Sequence, residues 1–409
     1  MKRAWKATAL VGALLLVGLL LSACSNDNGG ESTGSSGASG GATGTSNVPQ
    51  VATSDFTFDF SVMKQFTDLA AQGEGMIGVL LPDTTTSTRY VQYDEPNLTK
   101  AFEAAGLSSD QFKIDNAEGS ANTMQTQAEA DINAGASVLL IDGIDSSSGA
   151  AIAQKAADQG VAVIDYDRLN SGGPEDRYYV SFNNVEVGQV MGQGLVDCID
   201  AWKLQDPNVL IMDGDPTDNN AKLFAEGYNG LLKPYFDDGT YVKVGEPAGT
   251  WDPDKAATIF QQQYTAHPNI NAVISANDDK ANAIISILKS NNIKEETFPI
   301  TGQDASPPGL ANILTGFQCG TVYKPYWLEA QAAAALALYL RAGVTPPTTL
   351  VTDKTTDDVL GTDIASVYTK PLWVTTENMG DTVVADGTIS ASDLCTGDVA
   401  EACTEYGIS

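Results

Sequence analysis

Short apolar runs alternate with helical patterns from Gly75 onward. Met76-Ile77-Gly78-Val79-Leu80-Leu81 reads as a strand, and 96–105 as a helix ended by Gly106. A second strand is expected over 111–115, followed by a polar helix over 122–134 that Gly135 stops. Ser137 to Asp142 is a strand, 149–159 an Ala-rich helix, and Val161 to Asp165 another strand. Runs rich in β-branched residues, alternating with helices, predict a parallel sheet covered on both faces.

The pattern then restarts. Helices are expected over 187–202, 220–235, 255–266 and 279–289, and strands over 209–212, 241–244 and 272–275. Two βα arrays in series predict an α/β protein of two doubly wound lobes. Ligands on such sheets bind beyond the carboxyl ends of the strands, so the informative residues should follow each strand.

Ahead of these arrays the chain has a different character. Lys2, Arg3 and Lys6 precede an apolar run from Ala7 to Leu21, and Leu21-Ser22-Ala23-Cys24 follows. A charged start, a short apolar stretch and small residues at a cleavage point predict an export signal over 1–23. The last four residues resemble the bacterial lipobox, which implies lipidation of Cys24 and its exposure as the mature N-terminus. Residues 24–54 are expected to form a flexible tether, since Ser25 to Asn47 is almost wholly Gly, Ser, Thr, Ala and Asn. Such a coil of about 25 residues spans roughly 25–30 Å. The folded part is therefore expected at the outer face of a cell membrane, held by its lipid alone.

Composition narrows the possible chemistry. With 52 acidic and 22 basic residues among 409, the net charge of −30 disfavours nucleic acid and anionic membranes as partners. The 43% hydrophobic content is ample for two cores. One histidine, His267, is present, in a polar turn after a helix, so mechanisms that need a histidine pair have no material. No Gly-x-x-x-x-Gly-Lys-Ser/Thr loop occurs, which excludes a P-loop nucleotide site. Besides Cys24 the cysteines are Cys198, Cys319, Cys395 and Cys403. An even number in an exported chain favours disulfides over zinc, with three connectivities open. The short spacing favours Cys395 with Cys403, and Cys198 with Cys319 as the second pair. No metal and no cofactor is expected.

Polar clusters do follow the strands: Asp165-Tyr166-Asp167-Arg168, Asp213 to Asn220, Asn277-Asp278-Asp279 and Gly302-Gln303-Asp304. Carboxylates accept paired hydrogen bonds, guanidinium groups donate several and amides do both, which suits vicinal hydroxyls. Trp251 and Tyr90 add flat faces for the C–H side of a sugar ring. Taken singly, each Asp or Asn is equally well read as a helix cap or turn residue. Their repetition at strand ends carries the carbohydrate reading.

Segments 163–183, 213–235, 276–279 and 302–304, with Thr321-Val322-Tyr323-Lys324-Pro325, resemble the D-xylose-binding proteins of bacterial ABC importers. These belong to the ribose/galactose-type (type I) periplasmic binding proteins. The resemblance runs from about Met76 to the C-terminus. It implies two Rossmann-like lobes joined by three hinge strands, lobe one over 75–183 and 325–352, lobe two over 184–324 and 353–409. It also implies sugar-binding roles for Arg89, Tyr90, Asp167 and Arg168 from lobe one. From lobe two it adds Asp218, Asn220, Trp251, Asn277 and Asp304, and places Lys324 near the hinge. The segment 82–90 departs from the family in being rich in Thr, and 170–177 is an insertion expected at the cleft mouth.

A receptor of this kind is monomeric and not an enzyme. It closes on a monosaccharide, D-xylose or a related aldose, and delivers it to a membrane permease driven by a separate ATPase. A sugar sensor serving a chemoreceptor or histidine kinase would use the same site. A secreted glycoside hydrolase is disfavoured because Asn, Arg and Lys surround the carboxylates and leave no obvious proton donor.

Overall fold

The computed structural model describes residues 48–408. The expected signal, the lipidation site Cys24 and most of the expected tether lie outside the described residues. Among the described residues twelve strands occur: β1 (Met76–Leu81), β2 (Phe112–Asn116), β3 (Ala136–Ile141), β4 (Ala162–Tyr166), β5 (Tyr178–Phe182), β6 (Asn208–Met212), β7 (Val242–Gly245), β8 (Ala272–Ser275), β9 (Thr321–Tyr323), β10 (Asp353–Asp357), β11 (Thr362–Thr369) and β12 (Leu372–Val374).

Lobe one is built on a seven-stranded sheet in the order β10-β11-β5-β4-β3-β1-β2. Every pairing is parallel except that of the edge strand β10 with β11. Its central strands are continuous apolar runs because helices cover both faces. One of those helices, Tyr326–Arg341, is almost wholly buried, and its alanines let it lie close against the sheet. Lobe two uses the parallel set β7-β6-β8, extended by bridges through Ile300 and Gln303 to the antiparallel pair β9 and β12. The chain passes between lobes at 182–184, 323–326 and 369–372.

Two expected boundaries are corrected. Residues 353–369 were expected in lobe two, but β10 and β11 complete the lobe-one sheet. The reason is that β11 buries Ile364 and Val367 beside β5. The tether was expected to run to residue 54 and lobe one to begin at 75. Instead Val51, Phe56, Phe60, Met63 and Phe66 pack into the lobe-one core. Tyr339 donates to the Pro49 carbonyl (2.6 Å) and Thr349 to that of Val51 (2.8 Å). A few well-spaced apolar side chains, each gaining about 1.5–3 kcal/mol on burial, suffice to dock a polar segment.

The structure joins Cys198 to Cys319 and Cys395 to Cys403. His267 caps the helix Pro253–Ala266 in an exposed turn. Among the described residues no helix is long and apolar enough to cross a membrane.

The two disulfides differ in the loops they close, with sequence separations of 121 and 8. Loop-closure entropy predicts about 5 kcal/mol for the long loop and about 2.5 kcal/mol for the short one. The double serine variant at Cys198 and Cys319 should therefore lose more thermal stability than that at Cys395 and Cys403. Parallel melting curves check the order.

Candidate functional site

A cavity lies between the carboxyl ends of the two sheets. Its lining includes all ten residues proposed from the sequence: Arg89, Tyr90, Asp167, Arg168, Asp218, Asn220, Trp251, Asn277, Asp304 and Lys324. Ser87, Phe224 and Gln303 also line it and were not singled out. Gln303 stood inside a quoted motif, beside Asp304. No residue of the 170–177 insertion is among the groups that line the cavity. Arg177 holds that segment against lobe one through ion pairs to Asp165 and Asp357, each 2.7 Å.

Two aspartates of the lining sit on strained backbone. Asp167 has φ 55° and Asp304 φ 95°, values in the left-handed region that non-glycine residues seldom occupy. The surroundings enforce both. The Asp167 amide donates to Val180, and its carbonyl accepts from Tyr179 Oη, Ser181 Oγ and Asn220 Nδ2 at 2.7–2.9 Å. The Asp304 amide donates to Val322, and Tyr326 Oη donates to its carboxylate at 3.0 Å.

Arg89 is buried and divided among three carboxylates. It meets Asp94 at 2.7 Å, Asp167 at 2.8 Å and Glu329 at 3.0 Å, with its guanidinium 4.4 Å from the Tyr326 ring centre. Most of its N–H groups are thus committed within lobe one. Burial pushes the Asp167 carboxyl up, but Arg89, Lys324 and Arg168 outweigh it and hold the group at about 2. Lys324 Nζ lies 3.3 Å from Asp304 and 4.0 Å from Asp167. It therefore links the carboxylates of the two lobes.

Cap and cavity roles coincide in lobe two. Asp218 caps the helix Asn219–Asp237 through the Asn220 amide (2.8 Å), and its second oxygen takes the Trp251 indole N–H (3.0 Å). Arg168 Nε approaches the same oxygen from lobe one at 3.1 Å. Asn277 caps the helix Asp278–Ser290 through its Oδ1. The Asn220 amide is spent inside the protein, on the Asp167 carbonyl and on Asn184. Trp251 lies flat over Gly214, where a Cβ would strike the indole, so only glycine permits this placement.

The lobes are closed on each other. Direct bonds cross the cleft from Thr88 to Asp279 (3.1 Å), from Ser146 to the Thr217 carbonyl (3.1 Å) and from Asn220 to Asp167 (2.9 Å). A cavity lined from two such lobes, with charged edges and an aromatic wall, defines a two-lobed ligand-binding protein of the type I periplasmic fold.

The chain belongs to the periplasmic binding protein domain family, whose model matches residues 77–344. It is 34% identical over 305 residues to the D-xylose-binding periplasmic protein of Escherichia coli K12, covering 74% of this chain and 88% of that protein. The multiple sugar-binding periplasmic protein SbpA of Azospirillum brasilense is 31% identical, with 78% and 90% covered. Among solved structures, a carbohydrate transporter solute-binding protein from Chloroflexus aurantiacus in complex with D-glucose has TM-score 0.68 and 27% identity. It covers 78% of this chain and 97% of its own.

The position of Asp167 yields an acid-stability prediction. Its folded value of about 2 lies below the ordinary 3.8, so its ionised form supports the fold above about pH 4. That contribution disappears as pH falls from about 4 to about 2. Asp167→Asn should flatten the loss of unfolding free energy over that interval, as denaturant titrations at stepped pH will show.

Proposed function

We propose that this protein is the lipid-anchored, extracytoplasmic solute receptor of an ABC importer and captures one aldose ring, D-xylose first among the candidates. The observation that carries the proposal is the meeting of carboxylates, guanidinium groups and amides from both lobes beside Trp251, around one cavity between the sheets. The names of the relatives support sugars as the class, and two of the structural neighbours hold glucose.

Asp167, Asp218 and Asp304 offer acceptors, Arg168, Lys324 and Asn277 offer donors, and Trp251 offers the stacking face. Only the closed cleft presents all of them to one ligand, so binding favours closure. A micromolar affinity requires about 8 kcal/mol, within reach of several charge-assisted hydrogen bonds of about 1.5–3 kcal/mol each after association costs. The closed receptor then docks, as a monomer, on a permease driven by a separate ATPase, with Cys24 carrying the lipid.

Calorimetric titration with D-xylose, D-glucose, D-ribose and L-arabinose tests the reading. Heat and a change in tryptophan emission are expected with D-xylose, and silence with every aldose refutes it. Trp251→Ala should weaken binding about 2- to 12-fold, since an aromatic stacking contact contributes about 0.5–1.5 kcal/mol. Retention of a fatty-acid label by Cys24→Ala would refute the anchor.

A further inference from the structure

Arg168 faces two carboxylates at once. Its Nε lies 3.1 Å from Asp218 across the cleft and 3.5 Å from Asp142 in its own lobe. Asp142 follows β3 and is wholly buried, yet neither of its oxygens receives a hydrogen bond from any described residue. Asp218 is well supplied without the arginine, through the Asn220 amide and the Trp251 indole. The carbonyls of Gly143 and Ile144, next in the chain, accept from Arg168 Nη1 at 3.1 and 3.5 Å. Segment 142–144 thus wraps the guanidinium from behind, and its carboxylate is the one unsatisfied member. An unpartnered buried carboxyl is costly, which gives reason to look for a second state in which it is used.

We propose that Asp142 is the resting partner of Arg168: when the lobes part and Asp218 leaves, the guanidinium hydrogen-bonds fully to Asp142, and closure must loosen that pair to the 3.5 Å contact seen here. Asp142 is then a positioning residue that restrains closure of the empty cleft, while ligand contacts supply the opposing drive. The inference rests on the cleft-closure reading above and concerns a residue that does not line the cavity.

The exchange has a proton signature. In the closed cleft, burial drives the Asp142 carboxyl well up, Arg168 and Arg89 oppose this, and Asp167 and Asp94 add to it. The Tyr90 hydroxyl and Asp218 complete the polar surroundings of the pair. In the separated state the full pair with Arg168 favours the ionised form. Closure therefore takes up a proton, and affinity declines as pH rises, by at most about tenfold per unit. Glu329 does not share this linkage, because its partner Arg89 belongs to the same lobe.

Asp142→Asn, with Asp142→Leu as an apolar second variant, tests the exchange in two ways. Small-angle scattering without sugar should give both variants a smaller radius of gyration than the native chain. Titration with D-xylose and D-glucose, in buffers of different ionisation enthalpy near pH 6 and pH 8, should show proton uptake by the native chain only. Near pH 8 the variants should bind roughly 2- to 5-fold tighter, the range expected for one partly exposed ion pair. Unchanged scattering in both variants, or proton uptake equal to the native chain's, overturns the role of Asp142. Absence of heat with either sugar counts against the sugar reading instead, and scattering then decides on Asp142 alone.

Discussion

A charge taken out of water must meet an opposite charge or several hydrogen bonds, and the space between the lobes concentrates that constraint. Six carboxylates, those of Asp94, Asp142, Asp167, Asp218, Asp304 and Glu329, share one buried layer with the cations of Arg89, Arg168 and Lys324. Six against three leaves the layer rich in negative charge. Burial drives Asp142 and Glu329 well up, whereas Asp167, touched by the most positive charge, remains a carboxylate. Arg89 and Arg168 are each divided between a cavity-lining carboxylate and carboxylates behind it, and Lys324 lies between two cavity-lining ones. A ligand hydroxyl thus meets polar groups already held in place, so little ordering remains to be done on binding.

The same layer explains why strained backbone persists at Asp167 and Asp304. Each strained residue costs of order 1–3 kcal/mol, and three donors on one carbonyl, or a tyrosine and a lysine on one carboxylate, over-determine the conformation. Donors for the Asp167 carbonyl come from both lobes, so the geometry of this lobe-one residue is completed by lobe-two Asn220. Closure and site assembly are one event at this point.

Strand periodicity made the two sheets legible, because parallel strands buried on both faces are written as continuous apolar runs. The cavity lining was legible for a related reason: residues just beyond β1, β4, β6, β8 and β9 are directed to one place by the topology. What escaped was pairing at long range. Asp94 and Glu329 meet at Arg89 although a helix-length of chain separates the first from β1 and 240 residues separate the second from the arginine. Asp142 ends an apolar run just as Asp165 does, and only packing distinguishes a hydrogen-bonded partner of Arg177 from a carboxyl left without hydrogen bonds. The docked segment 48–66 falls partly in the expected tether, which ends at 54, and wholly outside the expected lobe one, because its apolar residues have no helical or strand period. They fill the lobe-one core singly.

The C-terminal segment bears on the site through position. Asp386 accepts from the Trp327 indole at 3.1 Å and from the Tyr323 hydroxyl. Those two residues flank Lys324, one ending β9 and the other opening the lobe-one helix Tyr326–Arg341. One carboxylate therefore fixes both sides of the crossing on which the lysine stands. The N-terminal segment grips the same helix further along, through Tyr339 and Pro49. Both chain ends thus hold the element that sets Lys324 between Asp167 and Asp304. A cation placed on a hinge needs such support, since a small swing there would move its charge from one lobe's carboxylate to the other's.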